Sequence, residues 1–162
     1  MHILINKKYL TFNNYKAKCA IGKRGIGNKK KEGDLITPKG IYKVKYVLYR
    51  KDRVKNIRTK LKKIVIRKNM GWCDDAYNKN YNKEIVLNKK NKGEKLFRKD
   101  NAYDLLIVIE YNTNKTKPFK GSAIFIHLTK NYGSTKGCIA LKKNDLLILL
   151  KIINKKSKIK IC

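Results

Sequence analysis

Short apolar segments separated by turn-forming residues run along most of the chain, and this pattern predicts a β-rich fold. Residues 3–5, 9–12 and 17–21 are predicted to form an opening meander, with Asn13-Asn14 as the turn between two of its strands. Residues 41–49, IYKVKYVLY, alternate in part between apolar and polar side chains. That alternation is typical of a strand with one face in water.

The second half of the chain contains its most apolar segments. Residues 103–111, YDLLIVIEY, predict a central strand, and residues 122–128, SAIFIHL, predict another. Asn144 is a candidate N-cap that is followed by an acid in the first turn and by an apolar face, which predicts a helix to about Ile153. Residues 158–161 then offer a short closing strand.

Two longer polar segments interrupt this pattern and are predicted as loops. Residues 22–40 contain GKRGIG, which fits neither the phosphate-loop nor the dinucleotide-binding pattern and precedes no clear helix, so no nucleotide site is expected there. Residues 69–83 contain Trp72 and two adjacent carboxylates. They are equally consistent with a surface loop held by one Trp and with a functional loop.

The length of 162 residues favours one domain, residues 1–162, with a core of reasonable size. No internal repeat interrupts the pattern, so the expected fold class is a β-dominated α+β domain. No apolar stretch approaches the roughly 20 residues that span a bilayer, so no transmembrane segment is expected. The first twelve residues lack the apolar segment and the cleavage site of a secretory signal.

The charge is strongly one-sided: 42 Lys and Arg face 11 Asp and Glu, for a net charge of +31. Such a balance invites a nucleic-acid-binding interpretation, because bound phosphates release counterions. However, only six of the 42 basic residues are Arg, and Lys is spread over nearly every segment together with many Asn and Ile. The excess is typical of a coding bias, so no specific nucleic acid is expected, and a basic polyanion-binding module remains the less favoured alternative.

The four cysteines are too irregularly spaced for a structural zinc site, since no C-x-x-C pair occurs. Two disulfides are arithmetically possible, but the sequence does not say which cysteines would pair. His127 ends an apolar segment, and Cys138 follows Gly137 ten residues farther along in a turn. A thiol becomes nucleophilic as its thiolate, for which His127 is a candidate base and Lys136 a candidate source of positive field.

Gly137 would let backbone N–H groups near Cys138 point at a developing oxyanion. The alternative is structural: His127 would simply end a core strand, and Cys138 would be an ordinary buried small side chain. On spacing alone the structural alternative is the commoner outcome.

Further motifs favour the catalytic interpretation. Residues 134–139, STKGCI, with the IFIH segment upstream, resemble the signature of the L,D-transpeptidase catalytic domain family, or YkuD domain, in which a His and a Cys after [ST]-x-G form the catalytic pair. Residues 33–42 are similar to the family's G-D-x-x-T-P-x-G-x-[YF] segment. Residues 71–75 and 103–105 are similar to a compact proteobacterial branch, and the resemblance covers about residues 19–161.

The resemblance implies a YkuD-like β-sandwich or mixed-sheet fold with a short C-terminal helix, and a cysteine acyltransferase acting on peptidoglycan stem peptides. Cys138 would be the nucleophile and His127 the base, with a backbone carbonyl available to orient the imidazole. No metal or organic cofactor is implied, and a periplasmic monomer is expected, although no signal peptide is visible. Other residues expected to shape the oxyanion site or to line the substrate groove are Ser134, Thr135, Lys136, Gly137, Trp72, Asp74, Asp75 and Tyr132.

Three departures from the family pattern leave the specificity open. Lys136 stands where most members have a second His, Ala140 stands where many have Arg, and the interval from His127 to Cys138 is shorter than usual. An L,D-carboxypeptidase or amide hydrolase with the same site is therefore an alternative. The cross-link could join two diaminopimelate residues or join L-Ala to diaminopimelate.

Overall fold

A computed structural model describes residues 2–162, apart from the side chain of His2. Strands dominate these residues, and one helix lies near the C-terminus. The elements are β1 (His2–Asn6), β2 (Tyr9–Phe12), β3 (Tyr15–Ala20), β4 (Ile26–Gly27), β5 (Thr37–Pro38), β6 (Gly40–Tyr49), β7 (Lys63–Val65), β8 (Met70–Trp72), β9 (Glu84–Val86), β10 (Glu94–Lys95), β11 (Leu105–Ile109), β12 (Phe125–Leu128), β13 (Ile139–Leu141), α1 (Lys143–Ile152) and β14 (Lys158–Ile161). The prediction of a β-dominated fold with a mixed sheet and a short helix near the C-terminus is confirmed.

The main sheet has nine strands in the order β11-β12-β13-β3-β2-β1-β14-β6-β7. The β11 strand also pairs with β6, so that the pairings close eight of these strands into a ring. Most pairs are antiparallel, whereas β1–β14, β6–β7 and β12–β13 are parallel. Because a closed sheet has an inner and an outer face, each strand of the ring can bury alternate side chains on two different sides.

The strand β11 shows how the sequence uses both faces. Leu105, Ile107 and Ile109 belong to the larger apolar cluster, which also takes in buried leucines of α1. Leu106 and Val108 belong to a second cluster on the other face. All five side chains are buried, which explains why this strand is a continuous apolar run rather than an alternating one.

A small three-stranded sheet, in the order β10-β8-β9, contributes to the second cluster. Its strand β8 lies within residues 69–83, which the sequence predicted as one loop. Trp72 on β8 is 2% exposed, its indole N–H donates to Asn82 Oδ1 at 2.9 Å, and its ring meets that of Phe125 edge to face at 5.0 Å. The tryptophan therefore belongs to the packing of the second cluster and not to a surface groove.

The helix α1 begins two residues earlier than the sequence predicted. Its N-cap is Lys142, which makes no side-chain capping hydrogen bond, and Asn144 lies inside the first turn. The acid of that turn, Asp145, instead accepts a hydrogen bond from the Tyr15 hydroxyl at 2.6 Å, and this contact ties the helix to β3. The helix has ten residues, and no helix within residues 2–162 has the length and apolarity needed to cross a membrane.

Candidate active site

The pairing of β12 with β13 brings His127 and Cys138 to the same side of the sheet. His127 is opposite Ala140 in this parallel pair, and Cys138 lies two residues before Ala140. Since side chains alternate along a strand, Cys138 and His127 project from the same face. Both line a cavity of about 1140 Å³. The two side chains that the sequence analysis singled out thus share one cavity.

The Cys138 thiol is buried and protonated in this structure. Its Sγ donates to the Ala123 carbonyl at 3.0 Å and accepts from the Phe125 N–H at 3.4 Å. The pKa of Cys138 is raised to about 12, chiefly by burial and also by the nearby Glu94 carboxylate. The Phe125 N–H and the Lys29 ammonium act in the opposite direction. Lys136, which the sequence suggested as a source of positive field, is not among the groups that shift the pKa of Cys138.

The His127 imidazole is neutral and has one free nitrogen. Its Nδ1 lies 2.9 Å from the Leu128 carbonyl oxygen, which can only accept, so Nδ1 carries the proton and Nε2 has a free lone pair. Burial lowers the pKa of His127 below its usual 6.5. The ring packs edge to face against Tyr103 at 5.3 Å. The Leu128 carbonyl thus orients the imidazole, and no carboxylate is needed for that purpose.

The turn that carries Cys138 requires glycine at position 137. Gly137 has φ +144°, and a Cβ there would lie 2.9 Å from the Ile36 carbonyl oxygen. Thr135 Oγ1 accepts from the Gly137 N–H at 3.1 Å and donates to the Cys138 carbonyl at 2.6 Å. The hydrogen bonds of Thr135 therefore stabilise the turn that carries Cys138, and they do not involve His127.

The hydrogen bonds of Thr135 determine which backbone N–H groups near Cys138 are available to bind an oxyanion. The Gly137 N–H is occupied by Thr135, whereas the N–H groups of Lys136 and Cys138 have no partner among residues 2–162. Of the donors considered from the sequence, Lys136 and Cys138 remain available. Thr37, on the segment from 22 to 40, also approaches the Cys138 carbonyl, at 3.5 Å.

The other predicted site residues separate into two groups. Asp74, Ser134 and Lys136 line the cavity with Cys138. Trp72, Asp75 and Tyr132 do not: Trp72 is buried in the core, Asp75 is exposed and accepts the Tyr77 N–H at 3.0 Å, and the Tyr132 ring contacts lysine ammonium groups outside the cavity. The two neighbouring carboxylates therefore have different surroundings: Asp74 lines the cavity, whereas Asp75 does not.

The cavity also contains residues that the sequence analysis did not select. The Tyr103 hydroxyl donates to Glu94 Oε1 at 2.6 Å, and burial raises the pKa of Glu94. Lys29 lines the cavity from the segment between β4 and β5. Tyr103 lay in a motif of the resemblance, but nothing in the sequence distinguishes Lys29 from the other lysines.

Among residues 2–162, the cysteines form no disulfide and the acidic groups form no metal site. All four cysteines are free, and within residues 2–162 no cluster of three His, Cys, Asp or Glu side chains is arranged to hold a metal ion. The chemistry available in the cavity is that of a thiol, a neutral imidazole, two free N–H donors and nearby charges of both signs.

Comparisons with known proteins place this geometry in context. The sequence matches the model of the L,D-transpeptidase catalytic domain family, YkuD, over residues 2–161. Comparison with the curated protein sequences finds no significant match. Among solved structures, the chain is similar to Bd1075 of Bdellovibrio bacteriovorus, at 16% identity and a TM-score of 0.49, and to the helical cell shape determining protein Pgp2 of Campylobacter jejuni, at 19% and 0.47. In both cases 99% of this chain covers 46% of the other.

Proposed function

Because the chain belongs to the L,D-transpeptidase catalytic domain family, we propose that it is a cysteine acyltransferase that cross-links peptidoglycan stem peptides. Members of this family are typically cysteine-dependent L,D-transpeptidases of the cell envelope. The observation that supports the proposal best is the shared face of Cys138 and His127 within one cavity. The chain spans about half the length of the structures it resembles, so the proposal concerns the reaction of this domain.

In the first half-reaction, Cys138 Sγ attacks the carbonyl on the L-centre side of an L,D-amide bond. The thiol proton passes to His127 Nε2, the C–N bond breaks, and the imidazolium returns that proton to the leaving amine of the D-residue. The product is a thioester between Cys138 and the stem peptide. Because the resting pair is neutral, the imidazole acts as a general base during attack and does not hold a preformed thiolate.

In the second half-reaction, the amine of another stem loses a proton to His127 and attacks the thioester, so that Cys138 leaves with a proton and a new amide is formed. The N–H groups of Cys138 and Lys136 are proposed to hold the oxyanion in both steps. Both reacting side chains come from adjacent strands of one chain, so a monomer suffices. Peptidoglycan as the substrate makes the periplasm the proposed location.

The test is incubation of the purified protein with tetrapeptide stems, followed by mass spectrometry of the products. Cross-linked dimers are expected with the wild-type chain and are expected to disappear with Cys138→Ala. Formation of cleaved monomers alone would replace transfer by hydrolysis, and full activity of Cys138→Ala would overturn the assignment of the nucleophile.

A further inference from the structure

One ammonium group of this lysine-rich protein is buried, and it lies in the active-site cavity. The Lys29 side chain is 2% exposed, and its partner Asp34 is 3% exposed. Nζ donates to Asp34 Oδ1 at 2.5 Å and approaches the Ile36 carbonyl at 3.5 Å. Burying an ammonium is unfavourable unless it is paired, so this position calls for a physical explanation.

Gly121 makes the space for the end of this side chain, and Gly137 lies beside its ammonium. A Cβ at Gly121 would overlap Lys29 Cε, and a Cβ at Gly137 would lie 3.6 Å from Nζ. Gly137 directly precedes the nucleophile in the chain. The ammonium therefore lies beside the turn that carries Cys138.

The partner of Lys29 is held independently of it. Asp34 accepts the N–H groups of Lys30, Lys31 and Ile36, in addition to the Lys29 ammonium. These donors stabilise the carboxylate, whose pKa is lowered to about 2. An ammonium has three N–H groups, and the contacts with Asp34 and Ile36 occupy two, so one is left without a partner among residues 2–162.

We infer that Lys29 is a positioning residue whose buried ammonium, held by Asp34, stabilises the negative charge that develops on Cys138. Of the charged and titratable groups that line the cavity, which also include Asp74, Arg98, Asp100, His127, Lys130 and Lys136, those that act on the thiol are Lys29, Glu94 and Tyr103. Glu94 opposes the thiolate, and a neutral imidazole adds no charge. Lys29 is therefore the cation that acts on Cys138 in the resting site. Its importance for catalysis rests on the proposed function, whereas its action on the thiol does not.

The experiment measures the rate of alkylation of Cys138 by iodoacetamide as a function of pH, with the modified peptide identified by mass spectrometry. Thiolate is the reactive form, and a neighbouring opposite charge lowers a pKa by about 1–3 units. We expect Lys29→Met to move the pH midpoint upwards and to slow alkylation at pH 8 by about tenfold or more. An unchanged midpoint would overturn the inference.

Lys130→Met is the matched control, because Lys130 lines the same cavity but is exposed and does not act on the thiol. Its midpoint is expected to equal that of the wild type, and an equal shift in both variants would assign the effect to general cavity charge and refute a special role of Lys29. Lys29→Met leaves Asp34 without its cation, so the fold is checked by circular dichroism. The double variant Lys29→Met/Asp34→Asn removes both charges and is expected to show the same upward shift.

The outcome is independent of the substrate. Iodoacetamide requires only the thiol, so a shifted midpoint combined with no reaction on stem peptides would support the role of Lys29 and refute the proposed function. If the wild-type protein cross-links stem peptides but Lys29→Met leaves the alkylation midpoint unchanged, the proposed function would be supported and the role of Lys29 refuted. If both hold, we expect Lys29→Met to lower kcat for stem peptides by about tenfold with little change in KM, because the charge develops only during the reaction.

Discussion

Two buried thiols lie close to each other in the main sheet, one on β3 and one directly before β13, and only the second has the surroundings of a nucleophile. Cys19 on β3 is paired with Leu141 on β13, three residues after Cys138. Cys19 is 3% exposed and Cys138 is 8% exposed. The pKa of each thiol is raised to about 12, chiefly by burial. By burial and acidity alone the two cysteines are nearly alike.

The difference lies in what surrounds each sulfur. Cys19 belongs to the larger apolar cluster, and burial is the whole cause of its raised pKa. Cys138 is on the other face, where its Sγ has two hydrogen bonds, a cavity, and opposite charges from Glu94 and Lys29. A thiol surrounded only by apolar groups has a fixed, unreactive state, whereas one placed between charges can respond to a neighbouring base or to a substrate.

The largest expected effect is on acyl transfer when one thiol is removed. Cys138→Ala is expected to lower the rate of dimer formation from stem peptides by more than about 10³-fold, because no other group in the cavity can form the thioester. Cys19→Ala is expected to keep the rate within about twofold and to cost about 1 kcal/mol of stability through the lost core volume. Both effects are measured by product analysis and thermal unfolding.

A covalent probe makes the same comparison within one molecule. Exposure of the wild-type protein to a carbapenem, followed by peptide mapping, is expected to give an adduct on Cys138 and none on Cys19. An adduct on Cys19, or loss of transfer in Cys19→Ala, would mean that the cavity does not distinguish the two thiols.

The next largest effect is expected from changing Gly137, in the turn that directly precedes Cys138. Gly137→Ala places a Cβ 2.9 Å from the Ile36 carbonyl at φ +144°, so we expect a loss of about 1–3 kcal/mol in the free energy of unfolding. Gly133→Ala is the matched control, because a Cβ at Gly133 would meet no atom within 4 Å. Equal melting temperatures for the two variants would show that the turn relaxes without cost.

The pattern of the sequence was enough to predict the longer strands and to single out two side chains that share one cavity. Apolar runs predicted β11 and β12, and the closing strand β14 has the predicted bounds. The candidate pair could be selected because a His at the end of a strand and a Cys after Gly are locally recognisable. Their shared face depends on strand register, which the sequence does not specify until the strands are paired.

Other features required the folded chain. The three-residue strand β8 is stabilised by two partners that are distant in sequence, so local pattern predicted a loop instead. Lys29 has no local signal, because its burial depends on Gly121 and Asp34, which come close to it only in the folded chain. Trp72 was assigned to a groove since exposure cannot be judged from an isolated aromatic residue.

A smaller effect is expected from the carboxylate beside Cys138. Glu94→Gln keeps an oxygen to accept the Tyr103 hydroxyl but removes the negative charge that raises the pKa of the Cys138 thiol. We therefore expect the alkylation of Cys138 at pH 8 to become faster, by up to about tenfold. The alkylation rate of Cys19 in the same sample is expected to stay the same. A slower Cys138 would mean that Glu94 supports the thiolate.

The smallest expected effect is a shift in the acidic side of a pH profile. It depends on His127, the base that we propose for Cys138 and that has no counterpart at Cys19. Transfer requires a neutral His127, and burial lowers the pKa of this imidazole, so the neutral form persists to lower pH than for an exposed histidine. The rate of acylation of Cys138 should therefore decline with acid only below pH 6.5, the ordinary value. The measurement is kcat/KM for stem peptides between pH 4 and 8, since this quantity reports the free enzyme. A midpoint above 6.5 would require a negative charge to dominate burial at His127, and the neutral pair from which the mechanism starts would then be wrong.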